Sequence, residues 1–340
     1  MGGNLAKSPL AALFYTALFH FIAVFLPFSE SYGSLLHSYE PQISPIRHLL
    51  LVAYCLWIVV VIALVLWFTE QKKFKSFLLL LPTCLGVQWA VPLVQQLALG
   101  EVTGAMIQKD TLLHLIQGCG ATILTLVLCF LLMSQKIAAH TSNTPSPKKY
   151  KLKYLRLVIF LLVLPLIYSI LQFVLGYFLA WRNNAFRAYY QGGGNQGIMY
   201  MIIEMLLDAP RYAVFSLLRG MLYALFSLPL LLLLPGKRVV YIFSQTMLFL
   251  SGAFLYVLPN PVMPVPVAVT HLIATAAALV IYGVLSGYLL HTCFEAPKPA
   301  EVAKNAPSSK GAEAAKNPAA KTAPAAKAPV LANTTTRKAK

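Results

Sequence analysis

Arg219 is the residue whose position most demands a chemical account. It stands in Phe215-Ser216-Leu217-Leu218-Arg219-Gly220-Met221-Leu222, seven residues into an apolar run over 212–234. At 1.5 Å per residue it lies about 10 Å deep if that run crosses a bilayer. Exposing a guanidinium to lipid there costs about 2.5–3.5 kcal/mol on insertion scales, so it is expected to face protein or a watery cavity. Candidate counter-charges lie just upstream. Glu204 and Asp208 are four residues apart in 197–208, a stretch too short to span, which predicts an interfacial or re-entrant helix. Pro210 and Arg211 then open the span, and the spacing 208, 211, 215, 219 keeps one face if the helix continues through the proline. Two readings follow. One is a ligand site within the outer leaflet; the other is a structural ion pair that pins the short helix.

The histidines come next. His114 and His271 each fall near the outer end of an apolar run, close to loops bearing Arg47 and Arg211. Two arginines and two histidines around one axis form an anion site; a membrane histidine also serves simply as a helix–helix hydrogen bonder. His20 lies near the middle of the first apolar run without an identifiable partner. Five cysteines (Cys55, Cys84, Cys119, Cys129, Cys293) sit in or at the end of apolar stretches without a Cys-x-x-Cys pair. They read as small apolar residues, with no disulfide framework, no metal site and no cofactor. Enzyme motifs fail on inspection. Ser251-Gly252 with His271 has the outline of an intramembrane serine protease, but the glycine needed at 249 is Phe249. No His-Glu-x-x-His, paired Glu-Glu or Walker sequence is present.

The elements that must hold these residues are transmembrane helices. Of 340 residues, 59% are hydrophobic and 11% charged, against about a quarter charged in soluble domains. Eight stretches carry the ~20 apolar residues a spanning helix needs: 10–28, 48–68, 76–97, 112–133, 154–180, 212–234, 239–257 and 267–292. Long Leu/Val/Ile runs without alternation argue for helices and against a barrel. The first run has the outline of a signal peptide, yet no small-x-small cleavage pattern follows it, so it reads as an uncleaved span. The expected fold is an all-α membrane protein of about eight transmembrane helices with a disordered basic C-terminal tail.

Orientation follows from lysine and arginine. The N-terminus, the 69–75 turn, the 134–156 linker, Lys237-Arg238 and the tail hold 21 of the 27 basic residues. The opposite side holds Arg47, Lys109, Arg182, Arg187 and Arg211. The basic side is cytoplasmic by the positive-inside rule, which places both termini inside. The linker cluster Lys148-Lys149-Tyr150-Lys151-Leu152-Lys153 attracts anionic lipid at about 1 kcal/mol per charge, or serves only as a topology signal. Residues 294–340 set nine Lys/Arg against three Glu in Ala and Pro, with no aromatic after Phe294. Such a tail cannot bury a core. Its charge alone suits nucleic acid, the ribosome or anionic lipid, without a base-stacking platform; a plain solvated tail is the alternative.

The halves share a layout: 1–133 and 154–293, joined by the linker 134–153, with the interfacial helix 198–208 in the second. Each has an outer loop ending in proline and arginine (Pro45-Ile46-Arg47; Pro210-Arg211) and a basic inner turn (Lys72-Lys73; Lys237-Arg238). His114-Leu115-Ile116 aligns with His271-Leu272-Ile273, followed by Ala121/Ala278, Val127/Val284, Leu128/Leu285 and Leu132/Leu289. Four spans per unit is even, so these are expected to be parallel tandem repeats about an axis along the membrane normal. The prolines at 259, 261, 264 and 266 predict a rigid outer connector. Gly283-x-x-x-Gly287 predicts a close-packing helix face. Arg219-Gly220, followed by Pro259-Asn260-Pro261-Val262-Met263-Pro264 and His271, resembles a pattern in uncharacterised bacterial polytopic inner-membrane proteins. The resemblance covers the last third of the chain, and the acidic residue expected after the histidine is absent from Ala274-Thr275-Ala276. It implies an eight-helix inner-membrane protein and supplies no function.

The first expectation is thus a non-enzymatic small transporter, or a lipid- or anion-binding protein, with Arg219, Glu204, Asp208, Arg211, Arg47, His114 and His271 as candidate ligand-binding residues. The second is a structural subunit or scaffold with protein partners in a membrane complex. The third is an intramembrane enzyme using Arg219, Glu204, Asp208 and the histidines.

Overall fold

In a computed structural model the described residues are 9–25, 45–69, 71–94, 116–132, 151–189, 197–207, 210–257 and 264–295. Nearly all are helical. In chain order the helices are α1 (Pro9–Phe25), α2 (Pro45–Phe68), α3 (Lys73–Leu85, continued by a wide π turn Gly86–Ala90) and α4 (Ile116–Leu132). Then come α5 (Tyr154–Leu175, continued by Gly176–Trp181), α6 (Asn184–Tyr189), α7 (Ile198–Leu207) and α8 (Pro210–Leu233). Last are α9 (Arg238–Ser251, ending in the 3-10 turn Gly252–Val257) and α10 (Val265–His291). Four helices are long and apolar enough to cross a membrane: Phe74–Val94, Tyr154–Trp181, Tyr212–Leu233 and Val265–His291. Four shorter apolar helices, within α1, α2, α4 and α9, fall on the remaining apolar runs.

Pro45, which the sequence places at the end of an outer loop, is instead the first residue of α2, and Pro210 opens α8 as its place at the head of the span predicts. A proline there loses nothing, because the first turn of a helix has no partner for its N–H. Pro82, Pro165 and Pro229 lie inside helices. Neighbouring helices make such interruptions tolerable in apolar bundles.

Helix directions follow from paired contacts. At Gly283 and Gly287 an added Cβ would stand 2.8 Å from Thr246 Cα and 3.2 Å from Ile242 Cα. This is the close-packing face expected from the Gly-x-x-x-Gly spacing, and it makes α9 and α10 antiparallel. A two-residue antiparallel pair joins the start of α5 to the end of α10, Lys151 opposite Glu295 and Leu152 opposite Phe294. The α8–α9 turn at 234–237 is tight. Hence α8 runs parallel to α10 and antiparallel to α5.

One end of the bundle gathers the basic segments. The turn after α2 meets the end of α8 through Thr69 Oγ1, which donates to the Leu233 carbonyl at 3.4 Å. Lys237 lies over the Phe68 ring and Arg238 over Tyr288, at 5.5 and 3.9 Å. Arg156 Nη1 donates to the Thr292 carbonyl at 3.2 Å. Tyr241, in the first turn of α9, lies 5.9 Å from the His291 ring at the end of α10. The charged heads thus rest on aromatic faces and a helix-end carbonyl at this end of the bundle.

The packing pairs form a pattern. α1 packs on α2 as α5 packs on α8. α2 meets α9, where Trp57 Nε1 donates to the Met247 carbonyl at 3.0 Å, and α3 meets α8, where Phe226 covers Gly86. α1 bonds α4 through His20 and Thr125, while α5 meets α10 through Tyr168 and Tyr282. α3 packs on α4 through Trp89 and Thr122, as α9 packs on α10. Exchanging α1–α4 for α5, α8, α9 and α10 maps these contacts onto one another.

A buried arginine in a tyrosine cluster

α8 sets Arg219 beside Gly220, and the glycine is what allows α5 to approach. A Cβ on Gly220 would lie 2.7 Å from Tyr168 Cβ and 2.9 Å from Pro165 Cα. With α5 this close, the Arg219 side chain is only 8% exposed and faces the bundle. The guanidinium carbon sits 5.5 Å from the Tyr168 ring centre. Tyr223, one turn further along α8, is in hydrogen-bonding reach of the guanidinium, and Tyr256 of the 3-10 turn is within electrostatic reach.

The surrounding rings fix this arrangement. Tyr168 meets Tyr282 edge-on at 5.1 Å, and Tyr223 meets Phe249 at 4.8 Å. Phe249 and Tyr282 stack at 5.8 Å. The Tyr282 hydroxyl donates to the Gly220 carbonyl at 2.8 Å. Aromatic pairs of this kind contribute about 0.5–1.5 kcal/mol each beyond their burial. The wall therefore fixes the arginine from three sides with aromatic rings.

Hydrogen bonding around Arg219 is incomplete. Arg219 Nε, Tyr168 Oη, Gln172 Oε1 and Ser216 Oγ are buried and have no hydrogen-bond partner among the described residues. Ser216 is one turn N-terminal of Arg219, and Gln172 one turn C-terminal of Tyr168. Because α5 and α8 are antiparallel, both extend the Arg219–Tyr168 contact in the same direction. Each buried polar atom left unmatched costs about 1–3 kcal/mol. A guanidinium with a spare Nε donor next to hydroxyl groups suits a carboxylate, phosphate or sulfate oxygen.

His271 stands further toward the start of α10. Tyr256 stacks on it at 5.0 Å with planes 6° apart, and Phe186 of α6 lies 4.8 Å away. His271 is also within electrostatic reach of Arg219. Asn183 Nδ2 donates to Thr270 Oγ1 at 2.9 Å, tying the segment before α6 to the same end of α10. The structure thus brings together two of the residues the sequence singles out, Arg219 and His271, through Tyr256, which the sequence does not single out.

The other candidates are not placed. Asp208 and His114 lie outside the described residues, and of Glu204, Arg211 and Arg47 only the backbone is described, in α7, α8 and α2. Where the sequence suggests a carboxylate beside Arg219, the described surroundings are tyrosines. A signal for them existed: Arg219 and Tyr223 are four residues apart, so they share a helix face. Among the described residues no group of three or more His, Cys, Asp or Glu converges on a metal-sized site. No family model, curated protein or solved structure matches the chain.

Proposed function

We propose that the chain is a multi-pass inner-membrane protein with eight spans and cytoplasmic termini, and that its second half binds the oxyanion group of a small solute or lipid at Arg219. The observation that carries the proposal is the buried guanidinium with an unspent Nε donor, alongside the orphaned polar atoms of Tyr168, Gln172 and Ser216 on the same α5–α8 seam. An interior shaped for stability alone would pair or omit such groups. Transport or binding of an anionic molecule gives them a partner.

Support for the eight-span topology comes from the eight apolar helices and from the basic turns gathered at one end. The exchange pattern of helix contacts supports two parallel four-helix repeats. In that arrangement the lysine-rich end faces the cytoplasm and anionic lipid. The resemblance to uncharacterised bacterial inner-membrane proteins agrees with that location. The tail from 296 onward lies outside the described residues; as a polycation it suits acidic partners such as nucleic acid or the ribosome.

One observation favours a second reading, a subunit of a membrane complex. In α5 only 17% of the most apolar 18-residue window is buried, against 44–50% in the other three long helices. α5 is thus free to mate with another chain, or simply meets lipid.

The test uses the protein in nanodiscs of neutral phosphatidylcholine. Thermal unfolding is measured with added sulfate or phosphate, and separately with phosphatidylglycerol in the disc. A bound anion at a hundred times its Kd should stabilise the protein by about 2.7 kcal/mol. Arg219→Met should remove that stabilisation. Equal stabilisation of the variant, or none in the wild type with any of the three anions, would overturn the proposal.

A further inference from the structure

A second buried polar cluster lies in the first half. His20, in the middle of α1, is 0% exposed. Its Nδ1 is 2.8 Å from Thr125 Oγ1 on α4. The Thr125 hydroxyl proton is already committed to the Ala121 carbonyl, 2.7 Å away. Thr125 therefore accepts and His20 Nδ1 donates. A neutral imidazole carries one proton, so Nε2 is left as a bare lone pair. That atom is buried and meets no donor among the described residues.

One turn along α4, Thr122 accepts from Trp89 Nε1 at 2.8 Å and donates to Gln88 Oε1 at 3.2 Å. Gln88 Nε2 is a second buried atom without a partner. From α2, the Tyr54 ring lies 6.5 Å from the imidazole. Tyr54, with Cys55 beside it, is the titratable neighbour on α2; α4 presents Thr125 and the Ala121 carbonyl. Neither helix turns a carboxylate, ammonium or guanidinium toward His20 among the described residues.

Tyr54 also leads to the other cluster. Its ring packs on Phe254 at 5.6 Å. Phe254 belongs to the Gly252–Val257 turn, whose Tyr256 reaches Arg219 and His271. A 3-10 segment has weaker hydrogen-bond geometry than the helix it ends, and such segments often act as hinges. This one touches both polar clusters. The two clusters also correspond under the exchange of halves: His20, Tyr54 and Thr125 sit on α1, α2 and α4, and Tyr168, Arg219 and Tyr282 on α5, α8 and α10.

The geometry points to His20 Nε2 as a proton-binding site coupled to the Arg219 cluster, so that the protein takes up an oxyanion and a proton together. This rests on the oxyanion reading above. The proton comes from solvent and joins the Nε2 lone pair; no covalent bond breaks and no electron moves. The resulting imidazolium adds positive charge to a bundle that already buries Arg219. The bound anion offsets it, which is why the two ligands favour each other.

Sulfate is the probe, because it does not itself buffer between pH 5 and 8. Calorimetric titration into nanodisc-held protein near pH 6, in two buffers of different ionisation heat, counts protons taken up per sulfate bound. His20→Asn keeps an N–H for Thr125 and cannot be protonated; His20→Gln serves if Asn fails to fold. The expected result is about one proton per sulfate in the wild type and none in the variant, with sulfate affinity falling about tenfold per pH unit only in the wild type. Unchanged proton uptake in the variant overturns the inference. If sulfate fails to bind the wild type at every pH, the oxyanion reading has failed, and nitrogen NMR of labelled histidines decides His20 alone. A His20 resonance that becomes charged between pH 7 and pH 3.5 upholds the proton site; one that stays neutral throughout overturns it.

Discussion

Replacing Arg219 with methionine should leave the bundle close to its original stability, which is not what a buried ion pair would do. The substitution removes a contact with the Tyr168 ring, 5.5 Å from the guanidinium carbon. Desolvated contacts of this type contribute up to about 2 kcal/mol. It also removes the guanidinium from hydrogen-bonding reach of Tyr223, an interaction contributing up to about 1.5–3 kcal/mol. Against this, an orphaned Nε disappears, relieving about 1–3 kcal/mol. The desolvation of a charged group, several kcal/mol, is relieved as well. The opposing effects are of similar size, so the net change should stay within about 2 kcal/mol in either direction. Breaking a buried ion pair instead costs about 3–5 kcal/mol, because the carboxylate is left behind. At about 1.5 °C per kcal/mol for a chain of 340 residues, the two cases separate in a thermal unfolding scan in mild detergent without added anion. A fall of about 5 °C or more would refute the reasoning and point to Glu204 or Asp208 as a buried partner.

Other perturbations follow from the packing. Gly283→Ala puts a methyl 2.8 Å from Thr246 Cα; α9 and α10 must separate, and a loss of about 1–3 kcal/mol is expected in the same scan. An unchanged melting temperature would mean the helices lie further apart. Tyr282→Phe deletes the bond to the Gly220 carbonyl and should cost about 0.5–1.5 kcal/mol, with a weakened anion response because Gly220 adjoins Arg219. Reporter fusions after residues 72, 145, 237 and 300 should report cytoplasm, and fusions after 38, 104, 190 and 262 the outside. A cytoplasmic signal at 190 would break the eight-span scheme.

The apolar runs were legible because spanning length and Leu/Val/Ile content leave few alternatives once backbone groups must bond internally. The Gly283/Gly287 face was legible for a related reason: small residues one turn apart let backbones touch. Pro45 misled, since a proline ends one element and starts another with equal ease. The inward orientation of Arg219 followed from the cost of a charge in lipid, but its neighbours did not. Tyr168, Tyr256 and Tyr282 come from three other elements, and only the crossing of α5, α8 and α10 brings them together. Sequence spacing carries information along one helix, not across several. His20 shows the same limit: Thr125, 105 residues away, is its partner, and no local pattern connects them.

The most direct test of the central claim is native mass spectrometry of the protein released from its own membrane in gentle detergent, wild type beside Arg219→Met. The oxyanion site predicts one tightly held anionic molecule per wild-type chain that the variant lacks. The same adduct on both proteins, or on neither, would contradict it.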